Sequence, residues 1–301
     1  MALSNDATPP VADLLGWLEP VMPSALFAPS VRAALRSLAK MLPAARLLLF
    51  ECHLGGAGQG VDLSLGQTRA WPRQLDLPAL RTHPGPILFE YDLGTAARPA
   101  VFASFSHRAR ADNARLAGLA EALLGPVSPE IGAMLGRAAD SQAPAAAWIT
   151  QFGAMLSRVH QPIRLNIGGR SQVAIRRYAE LVGMPPASLA LLDKMFDLAT
   201  GFDAEFILAI DVAAKVLPRI GLEYYFEDSV VSSRFLDRLR VRGLCDAAEL
   251  AGIGQWNGSG RVSRRLNHVK LAATTPDDLH AKAYLAAHYP GSAMGARERR
   301  A

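Results

Sequence analysis

From Arg164 to Leu285 the chain repeatedly sets an apolar side chain beside an ionisable or hydrogen-bonding one, and a period of two is the signature of extended strands with two unlike faces. Leu165 and Ile167 alternate with Arg164 and Asn166. Phe206, Leu208 and Ile210 alternate with Ala209 and Asp211, and Leu222, Tyr224 and Phe226 with Glu223, Tyr225 and Glu227. In the last two runs Val269 and Leu271 oppose His268 and Lys270, while Ala283 and Leu285 oppose Lys282 and Tyr284. Such a sheet must cover one face with other apolar surface and carry charge on the other.

Short apolar runs bounded by Gly, Pro and Asn predict strands at 47–54, 61–65, 86–93, 100–106, 162–168, 205–213, 219–227, 266–273 and 280–287. Helical spacing predicts helices at 31–41, 112–124, 128–139, 145–159, 172–182, 188–200, 232–242 and 246–252, with Ser128 and Pro129 as a cap and first turn. Consecutive strands with short turns must be antiparallel, because a parallel crossover needs a dozen or more residues. The expected architecture is α+β: an antiparallel β-barrel, or a strongly curled sheet, of about nine to ten strands surrounded by α-helices. The expected organisation is an N-terminal extension (1–30), a single barrel-like domain (31–289) and a disordered basic tail (290–301).

Composition narrows the function. With 50% apolar and 20% charged residues the chain folds around a large core. The net charge is +5, but Arg297, Arg299 and Arg300 with Glu298 put two of those charges in the tail, and the other basic residues are scattered among acids; nucleic acid is not an expected partner. Cys52 and Cys245 offer neither a disulfide framework nor a zinc site and point to a reducing compartment. The acidic, polar N-terminus and the lack of any apolar run of about 18 residues predict a cytoplasmic protein without signal peptide or membrane span. Asp277-Asp278 lacks the third acid of a magnesium-binding D-D-x-x-D motif, the glycines from Gly55 to Gly60 fit a hairpin turn better than a nucleotide loop, and the seven His show no metal spacing.

The charged face is therefore the candidate site: Arg164, Asn166, Asp211, Glu223, Tyr225, His268, Lys270, Lys282 and Tyr284. A solvated face mixes Lys, Glu, Thr and Ser freely, whereas this one concentrates donors that hold anions. Closing the sheet with its helices outside turns that face into a lumen. The early strands follow the rule more loosely, with Glu51 and His53 alternating with Phe50 and Cys52, and Glu90 and Asp92 with Phe89 and Tyr91. An acid there could position a ring N–H or accept its proton.

The spaced pairs Arg164-x-Asn166, His268-x-Lys270 and Lys282-x-Tyr284 resemble the cationic and tyrosine positions of the ABBA-type aromatic prenyltransferases, a family that includes indole and cyanobactin peptide prenyltransferases. The run from Ile220 to Phe226 and the endings around His268-Val269-Lys270 and Lys282-Ala283-Tyr284 also resemble uncharacterised bacterial proteins of peptide natural-product clusters. What the resemblance implies is a prenyl-transfer enzyme of natural-product biosynthesis, taking a prenyl diphosphate and an aromatic or peptide acceptor. Arg164, Lys270 and Lys282 would hold the diphosphate, Tyr225 and Tyr284 would shield the allylic cation, and Glu223 or Glu51 would orient or deprotonate the acceptor. No cofactor is then obligatory, because the side chains already carry the positive charge; magnesium is an option. Lys282→Ala and Lys270→Ala are expected to abolish diphosphate binding and leave stability nearly unchanged. The competing reading is a non-catalytic peptide or small-molecule binding protein that assists a biosynthetic pathway.

Overall fold

Alternation of this kind yields a sheet that curls until its ends meet. The computed structural model describes residues 8–56, 60–66, 80, 83–93, 98–106, 111–156 and 161–289. Ten antiparallel strands close into a barrel: β1 (Leu47–His53), β2 (Val61–Gly66), β3 (Ile87–Tyr91), β4 (Ala100–Ser104), β5 (Ala147–Ala154), β6 (Ile163–Gly169), β7 (Glu205–Val212), β8 (Val216–Tyr225), β9 (Ser263–Ala273) and β10 (His280–His288). Each strand pairs with its neighbours in sequence, and β1 pairs with β10, so no edge is left open.

Eight α-helices among the described residues ring the barrel in pairs: α1 (Val11–Leu18) and α2 (Pro29–Ala39) before β1, α3 (Asn113–Leu124) and α4 (Pro129–Ala145) before β5, α5 (Gln172–Leu181) and α6 (Pro186–Leu198) before β7, and α7 (Ser229–Val241) and α8 (Ala247–Trp256) before β9. Their starts are set by local chemistry. The Asp112 carboxylate accepts from the Arg115 amide, the Ser128 hydroxyl from Ile131, and Asp246 and Glu249 form a reciprocal capping box on α8.

The core lies between the helices and the outer barrel face, where Leu165, Ile167, Leu208, Leu222, Val269, Leu271, Ala283 and Leu285 are all buried, as alternation predicted. Phe27, Phe50 and Trp256 meet with centroids 5.3 to 5.8 Å apart, and the Trp256 indole donates to the Ala286 carbonyl at 3.1 Å. Tyr224 packs on Phe235 and donates to the Met195 carbonyl at 2.7 Å. Helix α1, within the segment expected as an extension, buries Val11, Leu14, Leu15 and Leu18 in this same core. The basic tail beyond Tyr289 lies outside the described residues.

One expected element is replaced. The predicted helix over 145–159 is replaced by strand β5 as far as Ala154, and 157–159 lie outside the described residues: α4 runs on to Ala145, Ala146 takes a left-handed backbone (φ 54°), and the chain turns directly into the sheet. Its bulge between Ile149 and Gln151 leaves Ile149 and Phe152, three apart, both in the outer core, so a bulged strand imitates helical spacing.

Candidate active site

Barrel register decides which charges meet. Lys282 stands opposite both His53 and Lys270, Lys270 opposite Glu223, Tyr284 opposite Glu51 and His268, Arg164 opposite Asp211, and Asn166 opposite Gln151. These pairs share the inner face. Glu51, Arg164, Asn166, Asp211, Glu223, His268, Lys270, Lys282 and Tyr284 are only 4–8% exposed, which is not the exposure of a solvated sheet. Tyr225 is less buried and lines the same wall. All ten site residues expected from the sequence thus converge in one lumen.

Burial of so many charges is tolerable only through pairing. Arg164 binds Asp211 through Nε and Nη2 at 2.8 and 3.0 Å. The Lys270 ammonium donates to Glu223 at 3.0 Å, and the Tyr225 hydroxyl donates to the other Glu223 oxygen at 2.9 Å. Lys282 and Tyr284 both donate to Glu51. Burial opposes ionisation of Glu51 and Glu223. Lys282 and Lys270 outweigh it at Glu51, as Lys270 with the Tyr225 hydrogen bond does at Glu223, and both carboxyls are held below the usual range. Burial and the facing carboxylates push the Tyr225 and Tyr284 hydroxyls well up, so both stay protonated donors. Between Glu51, Arg164, Asp211, Arg219, Lys270 and Lys282 about 10 Å³ remains, room for a single water.

Tyr225, His268 and Tyr284 stack in a column, with centroids 4.5 and 4.0 Å apart. The Asn267 amide lies 2.9 Å from His268 Nδ1, while the buried Nε2 has no hydrogen-bond partner and stands 3.8 Å from Glu223. Burial, against the pull of Glu223, lowers the His268 pKa to about 4, so the ring is neutral at pH 7. Asn166 donates to Gln151 at 2.7 Å, and its own oxygen is buried without a partner.

The opposite arc of the lumen is apolar: Leu88, Ala100, Phe102 and Met155, from β3, β4 and the end of β5, form a cluster separate from the main core. A Cβ on Gly153 would sit 2.5 Å from the Phe102 ring, and one on Gly221 would sit 2.7 Å from Lys270 Cε, so both glycines make room for lumenal side chains. Sequence reasoning missed this wall, together with Gln151 and Arg219. Of the wall only Met155 follows β5, where the spacing predicts a helix; Leu88, Ala100 and Phe102 lie on predicted strands whose faces carry no site assignment, and Arg219 opens its predicted strand with no face assigned. The signal that could have found the wall is the alternation of Leu88, Glu90 and Asp92 with Phe89 and Tyr91 on β3 and its continuation.

Glu51, His53 and Asp62 bring donor atoms within 4.8 Å of one another at the end of β1, with His53 Nε2 at 3.2 Å from Asp62 and 3.7 Å from Glu51. They are the residues that could hold a divalent ion. The Lys282 ammonium on Glu51 competes for the same carboxylate. Among the described residues no helix is long and apolar enough to cross a membrane.

The closed ten-stranded barrel ringed by paired helices is the fold of the ABBA-type aromatic prenyltransferases. The 6-dimethylallyltryptophan synthase of Micromonospora olivasterospora, solved in complex with DMASPP and Trp, superposes with a TM-score of 0.55 at 14% identity, over 92% of this chain and 97% of that one. The prenyltransferase PriB matches in a binary complex with product diphosphate (TM-score 0.57, 15% identity, 93% and 96% covered). It matches equally in a ternary complex with L-tryptophan and dimethylallyl thiolodiphosphate (TM-score 0.56, 13% identity, 93% and 96% covered). No protein-family profile and no curated protein matches the chain.

Proposed function

We propose that this protein transfers a prenyl group from an allylic diphosphate to an aromatic or peptide acceptor, as a step of natural-product biosynthesis. The observation that carries this reading is the amphiphilic lumen: Arg164, Lys270 and Lys282 on one arc face the apolar wall of Leu88, Phe102 and Met155 on the other. That is the complement of a molecule with an anionic head and a hydrocarbon tail. Barrels of this fold in the structures compared carry a diphosphate or a dimethylallyl thiolodiphosphate with tryptophan.

In this reading the diphosphate takes over from Glu51, Glu223 and Asp211 as counter-ion to the three cations. These groups stabilise the leaving diphosphate as the allylic C–O bond breaks. The stacked faces of Tyr225, His268 and Tyr284 flank the resulting cation, an attraction between positive charge and π-face. His268 Nε2 and the Asn166 oxygen are polar atoms left to meet a substrate. Prepaired lysines change one expectation from the sequence. Lys282→Ala would leave the buried Glu51 charge uncompensated and so would lower stability as well as affinity, by about 3–5 kcal/mol.

The test is calorimetric titration with dimethylallyl and geranyl thiodiphosphate, with and without magnesium. Wild type is expected to bind. The charge-conserving pair Lys282→Met with Glu51→Gln should lose that binding while remaining folded. The nearly filled cleft favours one second reading, a non-catalytic protein that binds a small molecule or peptide; failure of both diphosphates to bind would select it.

A further inference from the structure

Three donors converge on Glu223. The Lys270 ammonium and the Tyr225 hydroxyl donate to it at 3.0 and 2.9 Å, and His268 Nε2 stands 3.8 Å away, buried and without a hydrogen-bond partner among the described residues. A buried polar atom left unmet calls for a ligand. Glu51 is met in the same way by Lys282 and Tyr284, with His53 Nε2 at 3.7 Å. The two imidazoles differ in setting. The His53 side chain is 32% exposed and lies against Asp62, whereas that of His268 is 5% exposed and clamped between the Tyr225 and Tyr284 rings. The Asn267 amide nitrogen faces Nδ1 at 2.9 Å and can only donate, so in the free protein Nδ1 accepts and the ring proton sits on Nε2, toward the Glu223 carboxylate.

Building on the proposed prenyl transfer, in which the diphosphate displaces Glu223, we infer that His268 takes up a proton when the diphosphate binds and hands its Nε2 proton to that diphosphate as the allylic C–O bond breaks. The free lumen is balanced, with Arg164, Lys270 and Lys282 paired to Asp211, Glu223 and Glu51, and burial keeps the ring neutral in it. A diphosphate adds negative charge beside Nε2 and reverses that preference. The groups facing the ring are Glu223 and Tyr225 from β8, Lys270 from its own strand β9, Lys282 and Tyr284 from β10, and Glu51 from β1. The proton enters at Nδ1, where the Asn267 amide turns its oxygen inward in place of its nitrogen. Then the Nε2–H bond breaks, an O–H bond forms on the departing diphosphate, and that diphosphate leaves with the electron pair of the C–O bond. The ring is neutral again as the prenyl cation appears, which lets its face flank that cation. Neither neighbouring donor can do the same. The Tyr225 hydroxyl is pushed well up by burial and Glu223, and Lys270 must keep its charge to hold the diphosphate.

Glu90 also faces the lumen, 8% exposed between Phe89 and Tyr91 of the outer core, and burial raises its pKa to about 7, so it adds its own limb to any pH profile. The test therefore reads the ring itself. Nitrogen NMR of protein carrying isotope-labelled histidine is recorded at neutral pH with and without dimethylallyl thiodiphosphate, the His268 signals being assigned by their loss in His268→Gln. A neutral ring with its proton on Nε2 is expected in the free protein, and an imidazolium in the complex. Diphosphate release from dimethylallyl diphosphate is then measured without acceptor and with L-tryptophan, indole or a tyrosine peptide. His268→Gln keeps a donor but has no proton to give, so its kcat should fall about 10²-fold or more while its affinity for the thiodiphosphate holds within a few-fold. A ring that stays neutral in the complex, or release by His268→Gln within a few-fold of wild type, overturns the assignment and leaves prenyl transfer standing. Failure of wild type to bind the thiodiphosphate or to release diphosphate removes both.

Discussion

Asp211 holds Arg164 through two hydrogen bonds inside the lumen, each partner at most 10% exposed at its side chain. Removing one member of a buried pair leaves the other charged and desolvated, which costs about 3–5 kcal/mol. Asp211→Ala should therefore lower stability by that order. If Arg164 serves a diphosphate, inorganic diphosphate should restore part of the loss, because it supplies the missing counter-ion. Thermal unfolding of Asp211→Ala with and without diphosphate reads this; a deficit that diphosphate leaves untouched would show that Arg164 is structural only. At this scale the site was legible. Arg164, Lys270 and Lys282 lie on strand stretches where alternation runs without a bulge, so a period of two assigned their faces correctly, and it did so for Tyr284 although the β9–β10 register shifts just after it. Their acidic partners were legible as residues but not as partners, since pairing depends on which strands close the barrel.

The strand least legible in the sequence is β5. Its Ala-rich start has the propensity of a helix, and its bulge removes the alternation that would have overruled that propensity. What makes it a strand is tertiary: Gln151, Gly153 and Ala154 pair with Ser104, Phe102 and Val101 on β4 and with Asn166, Arg164 and Ile163 on β6. Gly153 shows how closely this element is fitted, because the Phe102 ring lies where a Cβ would be. Gly153→Ala should cost about 1–3 kcal/mol, since a ring packed in the lumen wall cannot move as the tip of a flexible chain could. In the double variant with Phe102→Leu the penalty should shrink. Equal costs of Gly153→Ala in the two backgrounds, measured by urea unfolding, would mean that the ring is not what the glycine accommodates.

For the molecule as a whole, the lumen places two groups of opposite pH response inside one barrel. Burial lowers His268 from 6.5 to about 4, so the stability it contributes is fully present above pH 6.5 and is lost as pH falls through that window. Burial and Glu51 raise Glu90 from 4.5 to about 7, so its contribution is fully present below pH 4.5 and is lost as pH rises through about 7. Each shift corresponds to about 3 kcal/mol. The two nearly cancel, and Glu51 and Glu223, held low, weaken the fold only below the ordinary carboxyl range. His280 and His288, also lowered by burial, add an acid-side loss that the variants below share. Wild-type stability should therefore fall between about pH 8 and pH 4.5 only by what His280 and His288 lose, because His268 and Glu90 offset one another. Glu90→Gln leaves His268 unopposed, and its urea midpoint should fall on acidification. His268→Gln leaves Glu90 unopposed, and its midpoint should rise over the same interval. Parallel curves for all three proteins would mean that the lumen holds water enough to solvate both groups, and that the barrel is a wetter chamber than its burial describes.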